Sequence, residues 1–311
     1  MSLSYTQVYT LTQFSDNRII APPIEEEVYP YRRVWRSITI QVGIMIVLTL
    51  VVIIAGEIFG IRFSQNVNTI ISLILTAAPV ILWLTFSVLP ERSVLEPRPG
   101  LITVFAISGL AAAAIGIPLI RDTFQIDRWL PLESALQRIL GFTFTVGIVD
   151  SAIKFIVLRY FVFPQYFRVR TDTIAYSVAS AVGYSFIVNI FAVTDEQAIY
   201  SVSMIYILAN YVMQLTSCMF LAYGFSGSYF DNALFVVLPI NILIASLVVG
   251  FISPFITGLM NGSLTTGGSS ARPLFSMGFL IAVLLVFLGL IFFLYNVAEQ
   301  REREAFAADE S

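Results

Sequence analysis

Eight long apolar segments set the strongest limit on what this chain can fold into. Each approaches or exceeds the ~20 residues that an α-helix needs to cross the hydrocarbon layer of a membrane. Because lipid offers no partners for backbone N–H and C=O groups, segments that cross it must be helical. The segments are residues 38–60, 66–89, 100–120, 139–163, 173–193, 197–224, 232–260 and 274–297. We therefore predict an all-α fold, a polytopic membrane helix bundle of about eight transmembrane helices.

The composition agrees with this fold and excludes several classes of function. Hydrophobic residues make up 58% of the 311 residues and charged residues only 12%, which is too apolar for a soluble domain. The net charge is −3 without a basic block, so we expect no nucleic-acid partner. The chain has no histidine and a single cysteine, Cys218. A metal or haem site that relies on imidazole or paired thiolates would need ligands from another chain, and we predict no metal and no cofactor.

The apolar pattern divides the chain into three parts. Residues 1–37 form a polar N-terminal tail, residues 38–297 the transmembrane bundle and residues 298–311 a charged C-terminal tail. We expect the N-terminal tail to be loosely ordered in the cytoplasm, with a partner-docking arm as the alternative.

Prolines and charges interrupt the apolar segments in a few places. Pro79, Pro239 and Pro254 are expected to kink their helices. The seventh segment is a candidate for a break between Gly250 and Pro254. Residues 121–138 carry too much charge to cross the membrane and are predicted to form a surface loop or an interfacial helix.

The arginines predict the orientation of the bundle. Eleven arginines lie in the segments that would face one side of the membrane, and five lie on the other side. Because cytoplasmic loops carry the excess of Lys and Arg, both termini are predicted to be cytoplasmic. We expect an integral protein of a prokaryotic cytoplasmic membrane, surrounded by the lipid bilayer.

Asp150 and Lys154 are the polar residues that most need an explanation. They lie four positions apart in an otherwise apolar helix, so they share one face, with the acid nearer the N-terminus, the better order for an ion pair. Lys154 is the only lysine of the chain. A charge inside a membrane helix costs roughly 2.5–3.5 kcal/mol on insertion scales and marks a functional site by default.

The sixth segment carries a polar stripe that must also face the bundle, because Asn and Gln would be unsatisfied in lipid. Its members follow one another at steps of 3, 4, 4 and 3: Ser203, Tyr206, Asn210, Gln214 and Ser217. We favour structural hydrogen bonding to Asn189, Lys154 or Asp150 over a substrate path as its role.

Small residues recur on two other helices at a spacing of four, which lets helix backbones approach closely in lipid. They are Ser108, Ala112 and Gly116 in the third segment and Ala175, Ala179 and Gly183 in the fifth. We favour packing within the bundle over dimerisation as the reason.

The stretch from residue 150 to residue 189 combines several of these features in an order that resembles a known family. It reads Asp150-Ser151-Ala-Ile-Lys154, then a basic loop, then Asp172, Tyr176, Gly183 and Asn189 along the next helix. This order and spacing resemble the PrsW family of intramembrane proteases, relatives of the CAAX-processing membrane proteases, which carry Glu-Glu-x-x-Lys and then Asp-Gly-x-x-Tyr-Gly running to Glu-Asn. The resemblance covers about a third of the chain and implies a PrsW-like core at residues 139–250. It implies polar, partner-facing positions at Asp150, Lys154, Asp172, Tyr176 and Asn189, to which the stripe adds Asn210 and Gln214.

The departures from the family fall on the positions that would carry its chemistry. Glutamates of the family are replaced by Asp150, Ser151 and Val188, and its two histidine positions fall on Gln214 and near Ile244. Hydrolysis of a peptide bond needs a water activated by a general base or by a metal. We therefore predict no catalytic residue at the degenerate family positions, which are Asp150, Ser151, Lys154, Val188, Gln214 and Ile244.

Three functions follow, in order of preference. The first is a pseudoprotease that acts as an adaptor or accessory subunit and binds another integral membrane protein or one of its transmembrane helices. The second is an active PrsW-like protease with an altered mechanism. The third is a transporter or channel that uses Asp150 and Lys154, which is disfavoured because the sequence shows no inverted repeat.

Overall fold

The computed structural model describes residues 34–92, 97–130, 134–196, 199–230, 236–265, 278, 281–283, 285–298 and 300. All regular structure within these residues is helical, and eight of their helices are long and apolar enough to cross a membrane. We label them α1 Val34–Gly56, α2 Gln65–Glu91, α3 Leu101–Thr123, α4 Leu136–Phe161, α5 Arg170–Asp195, α6 Tyr200–Phe230, α7 Val237–Ile256 and α8 Ile281–Ala298. The prediction of an all-α bundle with eight such helices is confirmed.

The helix ends differ from the predicted segments by a few residues. Helix α1 begins at Val34, inside the predicted tail, and the predicted tail residues 1–33 lie outside the described residues. The same holds for the C-terminal tail beyond residue 300. The described residues of the charged stretch between α3 and α4 include a short helix, Ile126–Trp129.

The predicted break in the seventh segment is wrong. The helix runs without interruption from Val237 to Thr265 and includes Pro254. Gly250 does not end the helix; a Cβ at this position would overlap the Thr143 side chain of α4. The glycine is therefore explained by a close helix–helix contact.

The other two prolines act differently from each other. Pro79 follows a turn at Ala77 that separates two helical stretches, Gln65–Thr76 and Ala78–Trp83, at the place where the sequence predicts a kink. Pro239 lies in the first turn of α7. A proline there removes no hydrogen bond within the helix, so the kink expected at Pro239 has no physical cause.

Helix α6 lies at the centre of the bundle. It packs against α1, α2, α4, α5 and α7. In the most apolar stretch of each helix, 94% of α6 is buried within the protein, against 22% of α2 and 12% of α8. The outer helices present their apolar side chains to the surroundings, as at Ile74, Leu110 and Val286. This arrangement, apolar outside and polar at the centre, is the one that lipid favours.

Small residues hold two helix pairs together at close range. In the pair α3 and α5, a Cβ on Gly183 would overlap the carbonyl oxygen of Phe105, and the hydroxyls of Ser108 and Ser180 hydrogen-bond at 2.6 Å. In the pair α4 and α7, a Cβ on Gly147 would overlap the backbone of Ser246. Ser108 and Gly183 thus take part in packing within the chain, which the sequence predicted without indicating that α3 and α5 are neighbours.

Candidate functional site

Asp150 and Lys154 form an ion pair at the centre of the bundle. The Nζ atom of Lys154 lies 2.6 Å from Oδ1 of Asp150, and both side chains are fully buried. Lys154 also donates a hydrogen bond to Oε1 of Gln214 on α6. Its ammonium group lies 5.0 Å from the ring centroid of Tyr184 on α5. One lysine therefore connects α4, α5 and α6.

The local structure of α4 explains how the pair comes to face the bundle. A π-helical turn, Thr143–Gly147, directly precedes the pair, and such turns rotate the following face of a helix. Gly147 in this turn allows α7 to approach closely. The turn and the close contact together direct Asp150 away from lipid.

A second polar contact links the neighbouring turns of α5 and α6. Asn210 donates from Nδ2 to Oδ1 of Asn189 at 2.8 Å, and both residues are buried. With the Lys154–Gln214 bond, two members of the α6 stripe make the hydrogen bonds that the sequence predicted. Asn210 and Gln214 therefore connect α6 to α5 and α4.

A cavity of about 170 Å³ adjoins these contacts and lies among α3, α4, α5, α6 and α7. Its polar wall includes Asp150, Tyr184, Asn210 and Gln214. The rest is mainly apolar, with Ile117, Ile120, Phe142, Val146, Val188, Phe191, Ala192, Met213 and Ile256. Arg121 also lines it; this residue forms an ion pair with Asp195, and its side chain is 41% exposed. The cavity therefore reaches the end of the bundle where α3 and α5 meet solvent or headgroups.

Several polar atoms beside the cavity lack hydrogen bonds. Among the described residues, neither carboxylate oxygen of Asp150 accepts a well-aligned hydrogen bond, although Lys154 lies within ion-pair distance. The hydroxyl group of Tyr184 and Nδ2 of Asn189 have no hydrogen-bond partner there either. Buried polar groups are nearly always hydrogen-bonded in native proteins, so these atoms require an explanation.

Asp172 and Tyr176 do not join this cluster. Asp172 accepts a hydrogen bond from Nε of Arg98 at 2.6 Å, and Arg98 also pairs with Glu91 at 3.0 Å. The second oxygen of Asp172 accepts the backbone N–H groups of Arg168 and Val169. The hydroxyl of Tyr176 donates to the carbonyl of Pro99 at 2.8 Å. This buried network ties the loop before α3 to the start of α5.

The remaining degenerate positions contribute no ionisable group. Val188 lines the cavity, and Ser151 is fully buried without a hydrogen bond for its hydroxyl among the described residues. Ile244 packs against the apolar core and does not line the cavity. In the part of the chain that the structure describes, no three acidic, cysteine or histidine side chains lie close enough together to hold a metal ion.

The sequence interpretation missed Tyr184, Arg98 and Glu91. Tyr184 directly follows Gly183, so the sequence places it within the stretch that resembles the family. Its contact with Lys154 depends on how α4 and α5 pack, which the sequence does not show. In the sequence, Arg98 is one of several arginines in loops. Its role as the common ion-pair partner of Glu91 and Asp172 follows only from the structure. No local sequence signal distinguishes it from the others.

The fold and the site together define a multi-pass membrane helix bundle with a buried ion pair and a partly polar cavity at its centre. Compared with protein-family models, with curated proteins and with solved structures, the chain gives no significant match in any of the three comparisons.

Proposed function

We propose that this chain is a PrsW-like pseudoprotease, which binds a partner membrane protein through its bundle and does not cleave it. The observation that supports the proposal most is the position of Asp150. This carboxylate is the counterion of Lys154, which is also bound by Gln214. A general base must be free to take a proton from water, whereas the Asp150 carboxylate is held in an ion pair with a buried ammonium group.

The other positions at which the family carries chemistry support the same proposal. Ser151 and Val188 replace glutamates, and Ile244 is an apolar core residue. Gln214, at a histidine position, accepts a hydrogen bond from Lys154 and has no proton to exchange near neutral pH. The residues at these family positions contribute to the packing of the bundle, and none of them is suited to activate water.

A partner in the same membrane would contact the helices that the bundle itself covers least. These are α2 and α8, whose outward apolar side chains include Ile74 at 66% exposure and Val286 at 71%. Transmembrane helices associate through complementary surfaces and not through the hydrophobic effect. An apolar outward face can therefore contact another helix as well as lipid.

A crosslinking experiment in native membranes tests the binding role. A photoreactive residue at Val286 should give one discrete adduct of constant stoichiometry with another membrane protein. The same residue at Met45, which is fully buried, should give none. Adducts with many proteins at low yield, or with lipid alone, would contradict the proposal.

Proteolysis is tested separately by comparing the wild type with Asp150→Asn in the same membranes. We expect labelling of new N-termini to give identical profiles for the two proteins. A cleavage site inside a membrane segment that appears with the wild type and disappears with the variant would show that the chain is an active protease.

A further inference from the structure

The cavity beside the ion pair has no net charge to offer a ligand. Asp150 and Lys154 neutralise each other, and Arg121 at the open end pairs with Asp195. A charged ligand would have to enter a region of low dielectric without a counterion, which is strongly unfavourable. The charge balance of the walls therefore favours an uncharged occupant.

The unpaired atoms of the wall require both a donor and an acceptor. The carboxylate oxygens of Asp150 can only accept hydrogen bonds, whereas the hydroxyl of Tyr184 can both donate and accept. Both side chains are at least 98% buried, and neither the Asp150 oxygens nor the Tyr184 hydroxyl is hydrogen-bonded within the described part of the chain. A ligand that donates a hydrogen bond to Asp150 and accepts one from Tyr184 would give both side chains a partner.

The apolar remainder of the wall sets the size and shape of such an occupant. Residues such as Ile117, Phe142 and Val188 surround most of the 170 Å³. An apolar cavity of ~150 Å³ holds one benzene-sized molecule, which has about six non-hydrogen atoms. The occupant thus has a short hydrocarbon part and one polar end.

We propose that the cavity among α3, α4, α5, α6 and α7 is a binding site for a small uncharged molecule. This molecule has about six non-hydrogen atoms, with a short apolar chain at one end. Its other end is a group that both donates and accepts hydrogen bonds, such as a primary amide. Asp150 accepts from the polar end and Tyr184 donates to it. The apolar chain lies against Ile117 and Val188. Entry is from the end of the bundle that carries Arg121. This inference does not depend on the partner-binding function proposed above.

Thermal unfolding of the purified full chain in mild detergent tests the proposal with n-butyramide, butyrate and n-butylammonium. Because a ligand that binds the native state stabilises it in proportion to its occupancy, butyramide should raise the Tm saturably and the two ions should not. Ile117→Phe fills the cavity and should abolish the shift. Ile115→Phe, the same change two positions away at a residue that is 55% exposed, should keep it. A wild type that does not respond, or equal responses of the two variants, would overturn the proposal.

A thiol-protection measurement decides the matter if Ile117→Phe does not fold. In a Cys218→Ser background, the rate of modification of Val188→Cys by methyl methanethiosulfonate reports access to the cavity. Butyramide at ten times its Kd should slow this reaction about tenfold, since only the free protein reacts. The exposed control Ser134→Cys should react at an unchanged rate. Modification of Val188→Cys that butyramide does not slow would show that water alone fills the cavity.

Discussion

Asp150 illustrates what one buried carboxylate requires of its surroundings. Its charge is balanced by Lys154 at 2.6 Å, but its oxygens accept no well-aligned hydrogen bond among the described residues. A buried ion pair contributes little net stability because desolvation offsets the attraction, whereas removal of one partner leaves the other charge uncompensated. The stability of the protein should therefore fall when one residue of the pair is replaced by an apolar residue, and should fall much less when both are replaced.

The first prediction concerns this asymmetry. Lys154→Met should lower the free energy of unfolding by about 3–5 kcal/mol because it strands Asp150. The double variant Asp150→Leu/Lys154→Met should recover most of that loss, to within about 1 kcal/mol of the wild type. Unfolding by SDS titration in mixed micelles measures both values. If the double variant is as unstable as the single one, the pair does not behave as a coupled unit.

The second prediction contrasts a buried and an exposed arginine. Arg98→Met removes the common partner of Glu91 and Asp172, which are buried, and should cost about 3–5 kcal/mol. Arg121→Met breaks an ion pair whose side chains are 41% and 47% exposed and should cost about 0–1 kcal/mol. The same titration compares them. Equal losses would mean that the acids near Arg98 are solvated in the folded protein.

At the scale of the helix, close contacts between backbones decide which helices are neighbours. Gly183 of α5 lies against the backbone of Phe105 in α3, and Gly147 of α4 against Ser246 in α7. These contacts leave no room for a side chain because backbone atoms cannot rotate away. They also fix the relative rotation of α4 and α5, and therefore which residues face the cavity.

The third prediction tests one of these contacts. Gly183→Ala should destabilise the bundle by about 1–3 kcal/mol, the usual cost of overpacking, because the new methyl group overlaps Phe105. Gly43→Ala is the matched control, since nothing lies within 4 Å of a Cβ at that position. It should be neutral or stabilise by about 0.5–1 kcal/mol through helix propensity. A stabilising effect at both positions would contradict the observed approach of α3 and α5.

The helices could be predicted from the sequence, whereas most contacts between them could not. Apolar length alone locates a membrane helix, because lipid permits no other backbone structure. The Asp150–Lys154 pair was also predictable, since both residues lie on one turn of one helix. The hydrogen bond to Gln214 requires α4 and α6 to be neighbours, and the sequence indicated it as one of several alternatives.

The position of Arg98 could not be predicted, because it depends on contacts between three separate segments of the chain. The predicted break between Gly250 and Pro254 was wrong because a proline alone does not show whether neighbouring helices support the continuous backbone.

At the scale of the whole molecule, the number of helices constrains the topology. If each of the eight crosses once, Val34 and Ala298 lie on the same side of the membrane. The arginine distribution favours the cytoplasm for that side. The open end of the cavity, near Arg121, then faces the opposite compartment.

The fourth prediction tests this orientation by labelling single cysteines in a Cys218→Ser background with an impermeant thiol reagent. Ile61→Cys, in the loop between α1 and α2, should react in intact cells because its side chain is 42% exposed. Arg92→Cys, after α2, should react only when the membrane is opened. The reverse pattern would place both termini outside the cytoplasm.

The enclosure of α6 has a consequence for how the protein is made. Helix α6 packs extensively against α7, which leaves the ribosome only after α6 has been synthesised. For that interval Asn210 and Gln214 face a partly built bundle, and a polar side chain that meets lipid without a partner is unfavourable. Their hydrogen-bond partners Lys154 and Asn189 lie on helices that are synthesised earlier. Because of this order along the chain, the partners of the two polar side chains are available before α7 is made.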